Sequence, residues 1–70
     1  MSERQENIGK RVKRLRKGKR MTQRALADAL YKNVVSISNI ECNITDLKTR
    51  DILALAELFG VTTDYLLKGE

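Results

Sequence analysis

The fold is decided by residues 21–41, MTQRALADALYKNVVSISNIE, which contain two short helical patterns separated by a three-residue turn. The first pattern begins at Thr22, a residue type that favours the N-cap position, and runs to about Leu30. The second is capped by Asn33 and runs through Glu41. Two short helices joined by so brief a turn form a helix-turn-helix unit, in which the second helix lies across the first and projects outward.

Upstream of this unit, apolar residues with helical spacing predict a first helix over residues 7–19. Ile8, Val12 and Leu15 recur at i, i+4 and i+7 and form one apolar stripe, whereas most of the remaining surface is basic.

Downstream, the sequence predicts two further helices, over residues 49–59 and 64–67. Gly60 ends the first, because glycine readily adopts the left-handed conformation that follows a helix. Thr62 or Thr63 caps the second, and no strand pattern is present.

The predicted fold class is therefore all-α. Residues 1–70 form one compact five-helix domain, with the helix-turn-helix at about 22–41 and frayed ends at 1–6 and 68–70. A chain this short buries only roughly 60% of its unfolded surface, so its core must be efficient or be helped by a partner.

Charge is distributed unevenly along the chain. Residues 1–32 carry eleven Lys and Arg against three acids, a net charge of +8, whereas residues 33–70 carry three against six, a net charge of −3. Such asymmetry indicates a polyanionic partner, either nucleic acid or an anionic membrane surface. A membrane-bound basic helix needs large apolar residues opposite its charges, and the few in the first helix are required by the core.

Several other classes of protein are disfavoured. There is no histidine, paired-carboxylate motif, metal-ligand cluster or phosphate-cradling glycine loop, so no enzyme, cofactor, metal site or small-molecule ligand is predicted. No signal peptide or membrane span is visible, and the single cysteine, Cys42, suits a reducing cytoplasm.

The motifs at 21–30 and 37–41 resemble those of the lambda-repressor/Cro-like family, also called XRE-type helix-turn-helix proteins. That family has a Ser/Thr-Gln pair, then Leu-Ala, then Ile-Ser-x-Ile-Glu ending the second helix. The segments 55–61 and 63–67 are similar to its Leu-Ala-x-x-Leu-Gly-Val and terminal helix, so the resemblance covers about residues 8–68.

Four positions depart from the family pattern. Tyr31 replaces the usual turn glycine, so this position must adopt right-handed helical angles, strained left-handed angles or a shifted turn. Asn43 replaces a second glycine and is the residue in its loop best able to adopt positive φ. Leu47 stands in place of a common proline, and Thr45 in place of a common arginine.

The resemblance implies that the third helix enters the DNA major groove, with base contacts from Val34, Val35, Ser38 and Asn39. The two valines suit thymine methyl groups, although one of them could instead pack as core. Asn39 suits adenine, a phosphate or solvent, and the serines suit either a base or a phosphate.

Phosphate contacts are expected at the first turn of the second helix, where Gln23 meets the positive end of the helix dipole. Glu41 is expected to pair with a basic residue of the first helix, Arg11 or Arg14. The full set predicted to contact phosphate or to support such contacts is Gln23, Asn33, Ser36, Lys10, Arg11, Arg14, Lys17, Arg24 and Lys32.

One domain of this size contacts a single half-site, so a homodimer on a palindrome is expected, with half-sites about one helical turn apart. The apolar residues predicted to form the dimer interface are Phe59, Val61, Tyr65, Leu66 and Leu67. The resemblance implies a stand-alone cytoplasmic repressor of bacterial or phage origin. A restriction–modification controller and an antitoxin-type regulator are the alternatives, and a basic module that binds an anionic membrane or an acidic protein is the alternative from another class.

Overall fold

A computed structural model of the chain describes residues 6–69. Over these residues it contains five helices and no strand: α1 (Ile8–Gly18), α2 (Gln23–Ala29), α3 (Val34–Glu41), α4 (Thr49–Phe59) and α5 (Thr63–Lys68). The predicted all-α, five-helix fold is confirmed, and no helix boundary shifts by more than one residue.

Four of the five helices begin at a side-chain cap. The side-chain oxygens of Asn7, Thr22, Asn33 and Thr62 each accept a hydrogen bond from a backbone N–H three residues later, at 2.8–3.0 Å. Each such cap stabilises its helix by about 0.5–2 kcal/mol and fixes where the helix begins. Of the two caps considered for α5, Thr62 is the one used.

The centre of the core receives one fully buried side chain from every helix. These are Val12, Leu26, Ile37, Leu55 and Leu66, in the order α1 to α5. Because the five residues belong to a single cluster, every helix contributes to one shared core.

At Gly9, α1 approaches the end of α3 closely. A Cβ atom on Gly9 would lie closer than 3.0 Å to the carbonyl oxygens of Ile40 and Glu41, so only glycine fits there. The Asn43 side-chain oxygen also accepts a hydrogen bond from the Gly9 N–H, at 3.4 Å. Gly9 therefore sets how closely α3 packs against α1, a role that its position in the sequence did not indicate.

Among residues 6–69, three non-glycine residues adopt left-handed backbone angles. Asn43 has φ +61°, as predicted, and Tyr31 takes the strained left-handed option with φ +58°. The Tyr31 side chain is 97% exposed, so no packing compensates for that strain. Arg20, between α1 and α2, has φ +59°, which the sequence did not predict.

Of the ends predicted to be frayed, residues 6, 68 and 69 are described by the structure. Glu6 accepts hydrogen bonds from arginine side chains of α1. Lys68 belongs to α5, and the Gly69 N–H donates to the Tyr65 carbonyl at 2.7 Å. Residues 1–5 and 70 lie outside the described residues. Over 6–69, no helix has the length and apolar character needed to cross a membrane.

Candidate nucleic-acid interface

The outward surface of α3 is short and uncharged. Val35, in its first turn, is 67% exposed, whereas Ile37 and Ile40 are buried in the core. Val34 is half-buried and packs against the core, so the alternative that one valine serves as core describes Val34. Ser38 is half-buried. Val35 is therefore the most accessible apolar group that α3 offers to a ligand.

Ser36 and Asn39 are also half-buried, and they lie toward the loop between α3 and α4. Both line a small cavity together with Thr45 and the carboxylates of Asp46 and Asp51. Their side chains are thus less exposed than Val35, and two acidic groups lie on the far side of the cavity.

A buried ion pair fixes the orientation of α3. The Arg16 guanidinium donates to both oxygens of the Glu41 carboxylate, at 2.6 and 3.2 Å, and also to the Met21 carbonyl at 2.7 Å. The Gln23 amide donates to the same carboxylate at 3.0 Å. Both charged side chains are less than a tenth exposed. This network joins α1, the start of α2 and the end of α3, so the angle of the helix-turn-helix depends on it.

The expectation that Glu41 pairs with Arg11 or Arg14 is wrong, because Arg16 is the partner. Arg16 lies seven residues after Gly9, two helical turns along the same edge of α1, and that edge faces α3. Arg11 and Arg14 lie on the opposite edge. Once the structure shows that Gly9 faces α3, its seven-residue spacing identifies Arg16 as the arginine on the same edge.

The edge of α1 that carries Arg11 and Arg14 faces α5. The Arg11 guanidinium is 4% exposed and donates to the Leu66 carbonyl at 2.7 Å and to Glu6. Arg14 is about half exposed and donates to the Glu6 carboxylate at 2.8 and 3.0 Å and to the Tyr65 hydroxyl at 2.9 Å. The hydrogen bond from Arg14 lowers the pKa of Glu6, and the same contact raises the pKa of Arg14.

These contacts argue against Arg11 as a phosphate ligand. The Arg11 guanidinium is buried beneath α5 and cannot reach a phosphate without unfolding that contact. Arg14 already binds a carboxylate. Between the two edges of α1 lies an exposed arc with Lys10, Lys13 and Lys17. Lys13 was not in the predicted set, although it neighbours the edge that faces α3.

The remaining predicted side chains lie around the helix-turn-helix. Arg24 is exposed on the first turn of α2, where Gln23 is half-buried by its bond to Glu41. Asn33 caps α3 through its side-chain oxygen and is exposed. Lys32 lies 3.4 Å from the carboxylate of Asp51 on α4, which offsets part of its charge.

Two of the five residues predicted to form the dimer interface are not on the surface. Phe59 and Leu66 are buried in the core of their own chain, and Val61 packs against that core. Tyr65 is half-buried and bonded to Arg14. Only Leu67, at 48% exposure, presents an apolar side chain to solvent.

Two capped helices, a brief turn and a buried ion pair that holds the second helix outward define a helix-turn-helix domain. The sequence pattern of the helix-turn-helix domain family matches residues 9–70. The chain belongs to this family, and its fold is of the lambda-repressor/Cro-like type.

Among curated proteins, the HTH-type transcriptional regulator ImmR of Bacillus subtilis (strain 168) is 38% identical over 61 residues. The match covers 87% of this chain and 48% of ImmR, so the chain spans about half the length of that relative.

Two solved structures of the P22 c2 repressor are similar to this chain. The crystal structure with synthetic operator 9T and Tl+ has a TM-score of 0.86 and 32% identity, covering 93% of this chain and 98% of that one. The NMR structure of the DNA-binding domain (1-76) has a TM-score of 0.84 and 33% identity, covering 91% and 84%. The matched proteins are regulators and repressors rather than enzymes, which agrees with the exclusion of enzymes from the sequence.

Proposed function

We propose that this chain is a sequence-specific DNA-binding domain that represses transcription, with α3 in the major groove. The observation that carries the proposal is the exposed, uncharged face of α3, held outward by the Arg16–Glu41 ion pair. A neutral helix can approach base edges closely, while cations on neighbouring helices neutralise the phosphates on either side.

Val35 is the proposed centre of base recognition. Its exposed methyl groups would pack on the C5-methyl of thymine, which no other base presents in the major groove. Ser38 and Asn39 complete the proposed base contacts from the same helix, and Val34 supports them from beneath.

Phosphate contacts are proposed for the residues that remain accessible around α3. Gln23 keeps one amide hydrogen beyond the one bonded to Glu41, and it lies at the positive end of α2. The proposed phosphate-binding or supporting set is Lys10, Lys13, Lys17, Gln23, Arg24, Lys32, Asn33 and Ser36.

The relatives support the regulatory part of the proposal, since one is a transcriptional regulator and the other a repressor in complex with an operator. A single domain contacts about half of an operator. We therefore infer that two copies bind a palindrome with half-sites about 34–36 Å apart. Because the proposed ligand is a chromosomal or phage operator, we infer that the chain acts in the cytoplasm.

Selection from a randomised duplex library tests sequence specificity and yields the operator. The contact of Val35 is then measured by a double-mutant cycle with Val35→Ala and with deoxyuridine in place of each selected thymine. Each change alone should weaken binding roughly fivefold, because each removes the same methyl contact, and together they should weaken it little further.

Leu67→Ala is the matched control, because it truncates an exposed apolar side chain on α5. It should leave operator affinity unchanged. Equal losses from deoxyuridine in the wild type and in Val35→Ala would contradict the methyl contact. A library that yields no preferred sequence would contradict specific recognition itself.

Salt dependence tests the phosphate set. Lys17→Ala should lower the slope of log affinity against log salt by about 0.9, since one fewer counterion is released. Arg14→Ala should leave this slope unchanged because Arg14 is bonded to Glu6. If Arg14→Ala lowered the slope and Lys17→Ala did not, Arg14 rather than Lys17 would contact a phosphate.

A further inference from the structure

One face of α4 carries an apolar centre between two opposite charges. Leu53 is 56% exposed, and the half-buried Ala54 lies beside it. Arg50 and Glu57 are exposed on the same side of the helix, one before and one after this centre. We call Arg50, Leu53, Ala54 and Glu57 the α4 stripe.

The core of the chain does not use this side of α4. α4 turns Leu55 and Phe59 into the core, which lies on the other side of the helix. Among residues 6–69, neither Arg50 nor Glu57 takes part in an ion pair. The stripe is therefore a surface whose charges remain available to a partner.

The stripe is complementary to itself when it is reversed. Two copies of α4 can cross antiparallel about a two-fold axis that passes between Leu53 and Ala54. Arg50 and Glu57 are equally far from that axis, so Arg50 of each copy then faces Glu57 of the other. A parallel pair instead places like charges opposite each other. The same patch on both subunits is what a two-fold interface requires.

We propose that the α4 stripe is the surface through which two copies of this chain pair, antiparallel, with Leu53 at the centre and two Arg50–Glu57 ion pairs at the sides. This interface replaces the predicted one, in which Phe59 and Leu66 are buried in the core. Its role on DNA rests on the proposed function, whereas the pairing itself does not.

The small area of the stripe limits the affinity with which two copies can pair. Stable interfaces bury about 1,200–2,000 Å², more than one exposed leucine per copy can provide. Association is therefore weak in free solution. Two copies on adjacent half-sites reach effective concentrations of about 1 mM, at which a weak contact produces cooperative binding.

Charge reversal tests the pairing without DNA. Arg50→Glu or Glu57→Arg alone places like charges opposite each other in both pairs and should weaken self-association roughly ten- to thirtyfold. The double variant restores both pairs, and so does an equimolar mixture of the two single variants. Sedimentation equilibrium at low salt and about 1 mM chain measures each case. Lys68→Glu on α5 changes the net charge by the same amount as Arg50→Glu and is the matched control for that variant.

The overturning results are specific. If the wild-type chain is monomeric without DNA and binds two adjacent half-sites without cooperativity, the proposed interface does not exist. Single reversals that associate as well as wild type, or a mixture that does not associate, exclude the antiparallel register. Binding to a single half-site should be unchanged in every variant. If single-site binding is absent in the wild type, the proposed function fails while the sedimentation result still decides the pairing.

Discussion

Gly9→Ala should destabilise this protein, although alanine is the most favourable residue in a helix and glycine is the least favourable after proline. The exchange alone would favour the helix by about 1 kcal/mol. The added Cβ, however, would lie within 3.0 Å of two carbonyl oxygens at the end of α3 and at 3.0 Å from the Asn43 nitrogen. These neighbours are backbone atoms, so α3 itself must move.

Steric insertion of this kind costs about 1–3 kcal/mol when side chains can adjust, and backbone contacts place this case at or above the upper end. After the helix-propensity gain, a net loss of about 2 kcal/mol remains, or a fall in Tm of about 8–16 °C for a domain of this size. Thermal and urea unfolding followed by circular dichroism measure both quantities.

Gly18→Ala is the matched control on the same helix. A Cβ at Gly18 meets nothing within 4 Å, so this variant should be neutral or more stable by up to about 1 kcal/mol. If Gly9→Ala were as stable as Gly18→Ala, the close approach of α1 and α3 would not exist as described. The movement of α3 should also weaken operator binding in Gly9→Ala beyond the effect of instability.

Three further predictions concern the ion pairs and the turn. Glu41→Gln should lower the free energy of unfolding by about 3–5 kcal/mol, because it leaves the buried Arg16 charge unpaired; wild-type stability in denaturant titrations would contradict this. Tyr31→Gly should raise stability by about 1 kcal/mol by relieving the left-handed strain, whereas Tyr31→Ala, which keeps a Cβ, should not. The pKa of Glu6 is lower in the folded state than its ordinary value of 4.5, so its contribution to stability is present above that value and is lost as pH falls through the folded pKa. Glu6→Gln should therefore reduce the loss of unfolding free energy as the pH is lowered. An unchanged pH dependence would show that the contact between Glu6 and Arg14 does not persist in solution.

Helix positions could be predicted from the sequence because the signals that set them are local. A cap needs only its own side chain and a backbone N–H three residues away, so Thr22 and Asn33 determine where their helices begin whatever the rest of the chain does. Asn43 was likewise placed correctly, because its tolerance of positive φ belongs to the residue itself.

Pairing between helices was harder to predict because it depends on how each helix is rotated. Several arginines of α1 are chemically equivalent partners for Glu41, and only the edge marked by Gly9 selects Arg16. In the same way, Phe59 and Leu66 are apolar enough for an interface, but both are buried in the core where α1, α4 and α5 pack together within one chain. Composition states how apolar a residue is, and it does not state which neighbour buries it.

The five fully buried residues at the centre of the core, one from each helix, also determine how the domain opens. A helix that detaches exposes its own central side chain and those packed against it in the shared core, so partial opening is nearly as costly as complete unfolding. The slowest-exchanging amide protons of all five helices should therefore report one common free energy. A ligand that binds only the folded chain would slow exchange at each of them by the same factor, including in helices that it never touches.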